Sequence, residues 1–598
     1  MTSTLQQYSV NQYTINHLLN WVSSGEIAIP EIQRPFVWKN SKVRDLLDSL
    51  YQGFPVGYLI SWQNPNVRLK DGSLSIGKKI LIDGQQRVTA LRAALLGQRV
   101  LDKNFKEKRI RIAFNPLTQE FKVANASTRR DPTFISDLPN AFSGGSFSAY
   151  SAYMQVNPEA DRQQVEQSLQ ALFGIANKQI GMIELAAELD IEKVTEIFIR
   201  INSQGVTLNQ ADFAMSKIAS DDQFGGQVLR KAIDYFSNLA VNPEFAKVIE
   251  DNDPKFAGTD YYGLMRWLRN EKEDLYDPSY TDVLRVAYGL EFHRAVLRTL
   301  VSRLSGRNPE TRRYEIEIAE DTFTRLDQGV RKFFSETQFK RFVMTLKSAG
   351  FVTTGLIRSQ NALNFAYYLH LVQHHRGVPP AENQRVVRRW LAMSILTGRA
   401  IGSFESEFDR DMRAIRDRTV AEVLSEIEAA ELGEGFWQVA MPRNLETSSS
   451  VSPYFLCFLA AQACTADRGF LSERLTVRAL LEQRGDSHHL YPKQYLKDQG
   501  YQQAAYNQVA NLVYMEQSIN IAIGKQAPDD YLGKVQNQIE QGVPGRYGGL
   551  TSRDDIQANL KENAVPVELL EGELPYEEFL AQRRQLMAVK VRDWYRNL

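Results

Sequence analysis

Two adjacent histidines, His488 and His489, carry the most specific chemical pattern in the chain. Pro492 follows them, and then Asn511 and Asn520, within GDSHHLYPKQYLKDQGYQQAAYNQVANLVYMEQSINIAIGK. Phosphodiester hydrolysis needs a base to deprotonate water and a cation to stabilise charge on the phosphate and the leaving oxygen. A neutral imidazole can fill either role, and a carboxamide oxygen is a reasonable hard ligand for magnesium or manganese. Neighbouring side chains on a strand point to opposite faces, so an extended segment over 486–491 would let His488 and His489 do two different jobs. A second short strand at 511–514, a turn, and a helix from about residue 518 would bring Asn520 back towards the first strand. Adjacency alone is weak: His374 and His375 also form a pair, but they continue a helical pattern into RGVPP with no strand or asparagine sequel.

A second constellation lies near the other end. The apolar run KKILI leads into Asp83-Gly84-Gln85-Gln86-Arg87, with a helix expected from about residue 86. A strand, a glycine turn and a helix N-terminus set backbone N–H groups where they can hold an anion. Arg87, in the first turn, could add a bidentate phosphate contact. Taken alone the same turn is also a plain helix start, with Asp83 as its cap and Arg87 as a surface charge.

The segment from Gly485 to Leu532 resembles the HNH, or ββα-metal, nucleases, in particular the branch with an HH-x-x-P signature. The resemblance implies that His489 is the general base and His488 a metal ligand. It makes Asn511 the asparagine that ties the hairpin together, counted with His489 in the catalytic set, and Asn520 the second metal ligand. Many members have aspartate at the position of His488 and histidine at that of Asn520, which leaves the metal's identity open. Lys525 is either a DNA phosphate contact or a solvated helix-end lysine.

IPEIQRPFVW, LIDGQQRVTAL and FIRINSQGVTLNQADF together resemble the DGQQR family, related to the ParB and sulfiredoxin fold, over roughly residues 10–215. Members are commonly fused to an HNH domain, and RRWLAMSILTGRAIGSFESEFDRDM is similar to the segment that follows in such fusions. The paired arrangement resembles GmrSD-type, modification-dependent (type IV) restriction enzymes. That implies defence against phage, double-stranded and modified DNA as substrate, and hydrolysis of GTP or another nucleoside triphosphate. In those terms Asp83, Gly84, Gln85, Gln86 and Arg87 form the nucleotide site, with Arg34, Arg200 and Asn202 as further candidates.

The elements that must position these residues follow from composition and periodicity. At 598 residues the chain exceeds the size of a single core, and with 43% hydrophobic and 24% charged residues it has a globular mix. The fold class expected is multidomain α+β. A ParB/sulfiredoxin-like α+β domain occupies 1–215, a helical middle 216–435, and a ββα-metal (HNH) domain 436–598. Short β-rich runs (RLKDGSLSIGKKILIDG, RIRIAFN) alternate with SKVRDLLDSLYQG in the first part. The Ser- and Gly-rich passage SGGSFSAYSAY is expected to separate it from the helices, and MPRNLETSSSVSPYF to mark the last boundary. Phe36, Trp38, Tyr58 and Trp62 are expected mostly in the core.

Charge is balanced, 71 basic against 71 acidic residues, so any DNA contact must be local. Cys457 and Cys464, the only two cysteines, sit in an apolar run and are expected to pack as small hydrophobes, consistent with a reducing cytoplasm. No signal peptide or membrane span is expected. A two-strand cut by one HNH site per chain would favour a homodimer. The competing reading is an NTP-binding DNA sensor or signalling protein with a degenerate nuclease domain. A third has the DGQQR domain itself as the nuclease.

Overall fold

The structure, a computed structural model, describes residues 7–28, 38–63, 79–101, 107–186, 189, 210–219, 221 and 223–598, except 309–310, 312, 403, 484, 486, 543–544 and 573. Arg34, Phe36, Arg200, Asn202 and the RLKDGSLSIG run lie outside the described residues. The chain divides into two compact units that interleave along the sequence. One comprises Met1–Ala232, Glu244–Ala257 and Leu297–Thr324, the other Ile233–Pro243, Gly258–Val296 and Arg325–Leu598. The described secondary structure is mixed α+β and mostly helical.

The first unit is built on a mixed five-stranded sheet. Its strands are β1 (Tyr8–Thr14), β2 (Ile27–Ala28), β3 (Leu59–Gln63), β4 (Lys79–Asp83) and, after two further hairpins and several helices, β9 (Gln179–Leu185), in the order β1-β9-β3-β4-β2. The intervening strands pair locally: β5 (Val100–Leu101) with β6 (Glu107–Lys108), and β7 (Ile112–Asn115) with β8 (Glu120–Val123). Helices α1 (Ile15–Ser24), α2 (Asn40–Gln52) and α3 (Gln85–Leu95) share one buried core with the sheet, including Ile15, Leu47, Leu59, Leu81, Leu91 and Met182. Helix α2 shows why the sequence was readable: Val43, Leu46, Leu47 and Leu50 fall at i, i+3, i+4, i+7 and all are buried, and Gly53 closes the helix in the left-handed conformation.

The Ser- and Gly-rich passage is not an irregular spacer after the first core; it is helical, within Leu138–Val156, with one non-helical residue at Gly145. Tyr150, Tyr153 and Met154 supply an i, i+3, i+4 stripe against the core, and the Tyr153 hydroxyl donates to the Thr133 carbonyl at 3.1 Å. Tertiary burial of that stripe outweighs the weak helix propensity of serine and glycine.

The second unit is helical around the buried helix Gln360–His375, which packs against Tyr280–Phe292 and Pro380–Leu396. Several buried polar groups inside it are paired. Asp282 accepts from Asn364 Nδ2 and from the Ser279 hydroxyl, and Arg399 grips Asp411 with two bonds of 2.7 and 2.8 Å. The stretch near residue 440 contains a π-helical turn, Phe436–Ala440, that runs into Met441–Asn444, and the chain on both sides of it belongs to this unit. Cys457 is buried as expected, whereas Cys464 is exposed, with its thiol directed at the Ser348 carbonyl. No described helix is long and apolar enough to cross a membrane.

His370 and His374 sit on this central helix, and both meet Gln338: His370 Nε2 lies 3.1 Å from Oε1 and His374 Nε2 3.2 Å from Nε2. Of the second histidine pair, His374 meets Gln338, and both His374 and His375 are exposed in the last turn of the helix. Burial, with the nearby His374 and Arg341, pulls the His370 pKa down to about 4. The unfolded chain then binds the extra proton between pH 6.5 and about 4, so this group's contribution is complete above pH 6.5 and is lost as pH falls through that window. Chemical denaturation across pH 4–7 should show a loss of about 3 kcal/mol from this group, and His370→Gln should flatten that slope.

Candidate functional site

The two strands and the helix expected around the C-terminal histidines are present. Strand β10 (Ser487–His489) pairs antiparallel with β11 (Leu512–Tyr514), putting His488 opposite Val513 and His489 opposite Leu512. A helix, Gln517–Ile523, begins three residues after β11. Between the strands run two short helices, Lys493–Asp498 and Gln503–Tyr506, and the 3-10 turn Val509–Asn511.

Asn511 holds this insertion to the hairpin. It is fully buried; its Oδ1 accepts from the Tyr491 N–H at 2.8 Å, and its Nδ2 donates to the carbonyls of Tyr491 and Tyr506, each at 3.0 Å. Its carboxamide is thus spent on the backbone on both sides of the insertion.

His489 is half-buried, and its Nε2 lies 3.0 Å from Asn507 Oδ1. A carboxamide oxygen only accepts, so the Nε2 proton donates to it and the lone pair is left on Nδ1. Burial lowers the His489 pKa below its usual 6.5; the bond to Asn507 acts against this and the charge on Lys493 adds to it. The ring is therefore neutral at pH 7, the state a general base requires. Asn507 was not singled out from the sequence. Its only signal is its place four residues before Asn511 in AYNQVAN.

His488 is half-buried on the opposite face of β10. Asn520 lies on the helix after β11, half-buried, and among the described residues its carboxamide has no hydrogen-bond partner. A half-buried amide oxygen left without a partner and an imidazole are the donor types a hard or borderline divalent cation accepts. Among the described residues no three His, Cys, Asp or Glu side chains gather into a metal-holding group. Lys525 is exposed at the end of that helix.

A feature outside the sequence reading anchors the hairpin from behind. Arg583, on the last helix Tyr576–Asn597, is fully buried and donates to the carbonyls of Ala510 (2.6 Å), Leu512 (2.9 Å) and Asn563 (3.2 Å). Two of these flank Asn511. Burial pulls its pKa down to about 9, with Tyr531 and Tyr576 acting the other way, so it remains charged at neutral pH.

In the first unit, β4 runs through Asp83 into Gly84 and α3, as expected. Gly84 has φ +90°, and a Cβ there would meet Leu59 Cδ2 at 2.1 Å, so only glycine fits. Gly57, at φ +83°, leaves room for Arg87, whose Nη1 would sit 2.7 Å from an added Cβ. Arg87 turns back, donating to Asp83 Oδ2 at 2.8 Å and to the Val56 carbonyl at 2.9 Å. Gln85 Nε2 bonds the Leu81 carbonyl, and Gln86 lies beside it in the first turn. Among the described residues no side chain caps the α3 N-terminus. Of the aromatics, Trp62 is buried, Trp38 stacks under Lys42 at 4.7 Å, and Tyr58 is exposed. The candidates Arg34, Arg200 and Asn202 fall outside the described residues.

Residues 15–219 match the GmrSD restriction endonuclease N-terminal domain. The match takes in the DGQQR turn and four of the five strands of its sheet, so the chain resembles the GmrSD-type family, as its motifs imply. An uncharacterized protein of Methanocaldococcus jannaschii is 19% identical over 557 residues, covering 86% of this chain and 84% of its own. The GmrSD-like segment and the hairpin with His489 belong to different compact units.

Proposed function

We propose that the chain is a metal-dependent DNA endonuclease of anti-phage defence that cuts at an HNH-type site around His489. Its N-terminal DGQQR domain, with the ParB/sulfiredoxin-like fold, would couple this activity to a nucleoside triphosphate. The observation that carries the reading is a neutral, half-buried imidazole with a defined tautomer on a two-stranded hairpin, followed by a helix that bears an unpartnered carboxamide.

In this reading His489 Nδ1 takes the proton from the attacking water while Asn507 holds the ring in the required tautomer. Asn511 and Arg583 keep the hairpin and its insertion in register. His488 and Asn520 would hold magnesium, manganese or another divalent ion, which supplies Lewis-acid stabilisation of the charge on the phosphate and the leaving oxygen. The substrate is double-stranded DNA, modified phage DNA in the family's terms. In the first unit, GTP or another nucleoside triphosphate would compete with the Asp83 carboxylate for Arg87 at the uncapped N-terminus of α3. A cytoplasmic location and, for two-strand cutting, a homodimer complete the proposal.

Cleavage of matched plasmids, with and without base modification, in the presence of magnesium or manganese, chelator and each NTP tests the whole reading. Metal-dependent nicking that chelator stops supports it. The reading is lost if DNA stays intact with every metal and NTP. A DNA sensor with a degenerate nuclease would bind NTP and DNA without cutting. A nuclease in the DGQQR domain would keep cutting without His489 and stop with Asp83→Ala.

The protonation state of His489 makes a further prediction. With its pKa held below 6.5 by burial, the rate should fall on acidification at a pH below the usual histidine value. Asn507→Ala removes an interaction that raises this pKa, so the acid limb should move lower still while the plateau drops about tenfold as the tautomer is released. A pH–rate profile of the two proteins checks both signs.

A further inference from the structure

We propose that Lys493 and Lys497 form a phosphate clamp that holds the backbone of duplex DNA beside His489; this rests on the nuclease reading of the hairpin. The argument begins with one ring. Tyr506 is buried, and the ammonium groups of Lys493 and Lys497 lie over it at 5.4 and 5.8 Å from its centroid. The His489 ring meets the same tyrosine edge-on, with centroids 6.4 Å apart. Tyr506 thus gathers two cations and the candidate base around a single side chain.

Both lysines sit on the helix Lys493–Asp498, one turn apart on the same face, and both are exposed. Among the described residues neither of these lysines makes an ion pair. Asp498, on the same helix, accepts from Gln494 at 2.7 Å instead. An ammonium over an aromatic face keeps its three N–H donors, which can still turn to an anion. Two such groups fixed over one ring provide a local positive site on a chain of zero net charge, and duplex DNA presents a regular row of phosphates to match it. Only Leu490, Tyr491 and Pro492 separate the helix from the hairpin strand, so a phosphodiester gripped by these lysines is delivered next to the imidazole.

The test is binding of a labelled, unmodified DNA duplex by the full chain carrying His489→Ala, followed by fluorescence anisotropy at about 50–200 mM salt. Adding Lys493→Gln and Lys497→Gln, which keep the apolar stems over Tyr506, should weaken binding about 10- to 100-fold at low salt. It should also reduce the slope of log affinity against log salt by about two, equally for unrelated sequences. The Lys493→Arg, Lys497→Arg protein should recover the parental slope. Unchanged affinity and slope in the glutamine protein, no binding by the parent, or a lysine effect on RNA but not on DNA each overturn the clamp. Wild-type cleavage is the separate readout. Lysine-dependent DNA binding by a chain that cuts no DNA sinks the nuclease reading alone, and cutting with a lysine-independent slope sinks the clamp alone.

Discussion

Replacing His489 with alanine should abolish plasmid nicking, with a loss of about 10²–10⁴-fold, while the protein stays folded. The size of the effect follows from what the ring supplies. Hydroxide is scarce at neutral pH, so an attacking water needs a local acceptor, and His489 Nδ1 is the atom whose lone pair the bond from Nε2 to Asn507 leaves free. Stability should change little, because the half-buried ring gives up one hydrogen bond, about 1 kcal/mol. His374→Ala serves as the control. That histidine, on the central helix, meets Gln338 of the helix Glu336–Ser348, and its loss should leave cutting intact. Nicking by His489→Ala at the wild-type rate would remove the base from the mechanism. If that surviving activity disappeared with Asp83→Ala, the chemistry would belong to the DGQQR domain.

The second large effect is on stability, at Arg583. Arg583→Met keeps apolar bulk but leaves the carbonyls of Ala510, Leu512 and Asn563 without their donor in a dry interior. Each uncompensated buried polar group costs about 1–3 kcal/mol. Relief of the buried charge offsets part of this, so a net destabilisation of about 3–5 kcal/mol is expected, in the range for a broken buried charged interaction. Urea unfolding of the full chain should show the later-unfolding or earlier-unfolding second unit shift to lower midpoint. Because Ala510 and Leu512 flank Asn511, DNA cutting should fall even below the unfolding transition. A midpoint unchanged within error would mean that water replaces the guanidinium and that the arginine does not hold the hairpin.

The two chemical patterns were legible because each is local. His488, His489 and Pro492 lie within five residues, and a short strand of that kind pairs with the next β-rich run, 512–514, in the register seen. Asp83-Gly84 follows KKILI directly, and a glycine with φ +90° against Leu59 leaves no other residue type for that turn. The use of each group was less legible. Arg87 could be placed in the first turn of α3, but its pairing with Asp83 and with the Val56 carbonyl depends on a loop about thirty residues earlier. Asn507 and Arg583 had no motif to mark them. One fixes a tautomer through a single bond, and the other reaches the hairpin from 71 residues away in sequence.

Local periodicity and spacing alone determined that the chain would pair a strand–glycine–helix turn near its start with a histidine hairpin near its end, since both depend on short-range backbone geometry. Segmentation was decided only in three dimensions. SGGSFSAYSAY reads as a break yet is helical, because Tyr150, Tyr153 and Met154 find a core to bury against, and helix stability in a folded protein comes mainly from such packing. The tertiary structure also decided which polar atoms are spent and which are left over. Asn511 is fully committed to backbone, Asn520 has no partner among the described residues, and two lysines share one tyrosine ring, because each depends on residues that only folding brings together.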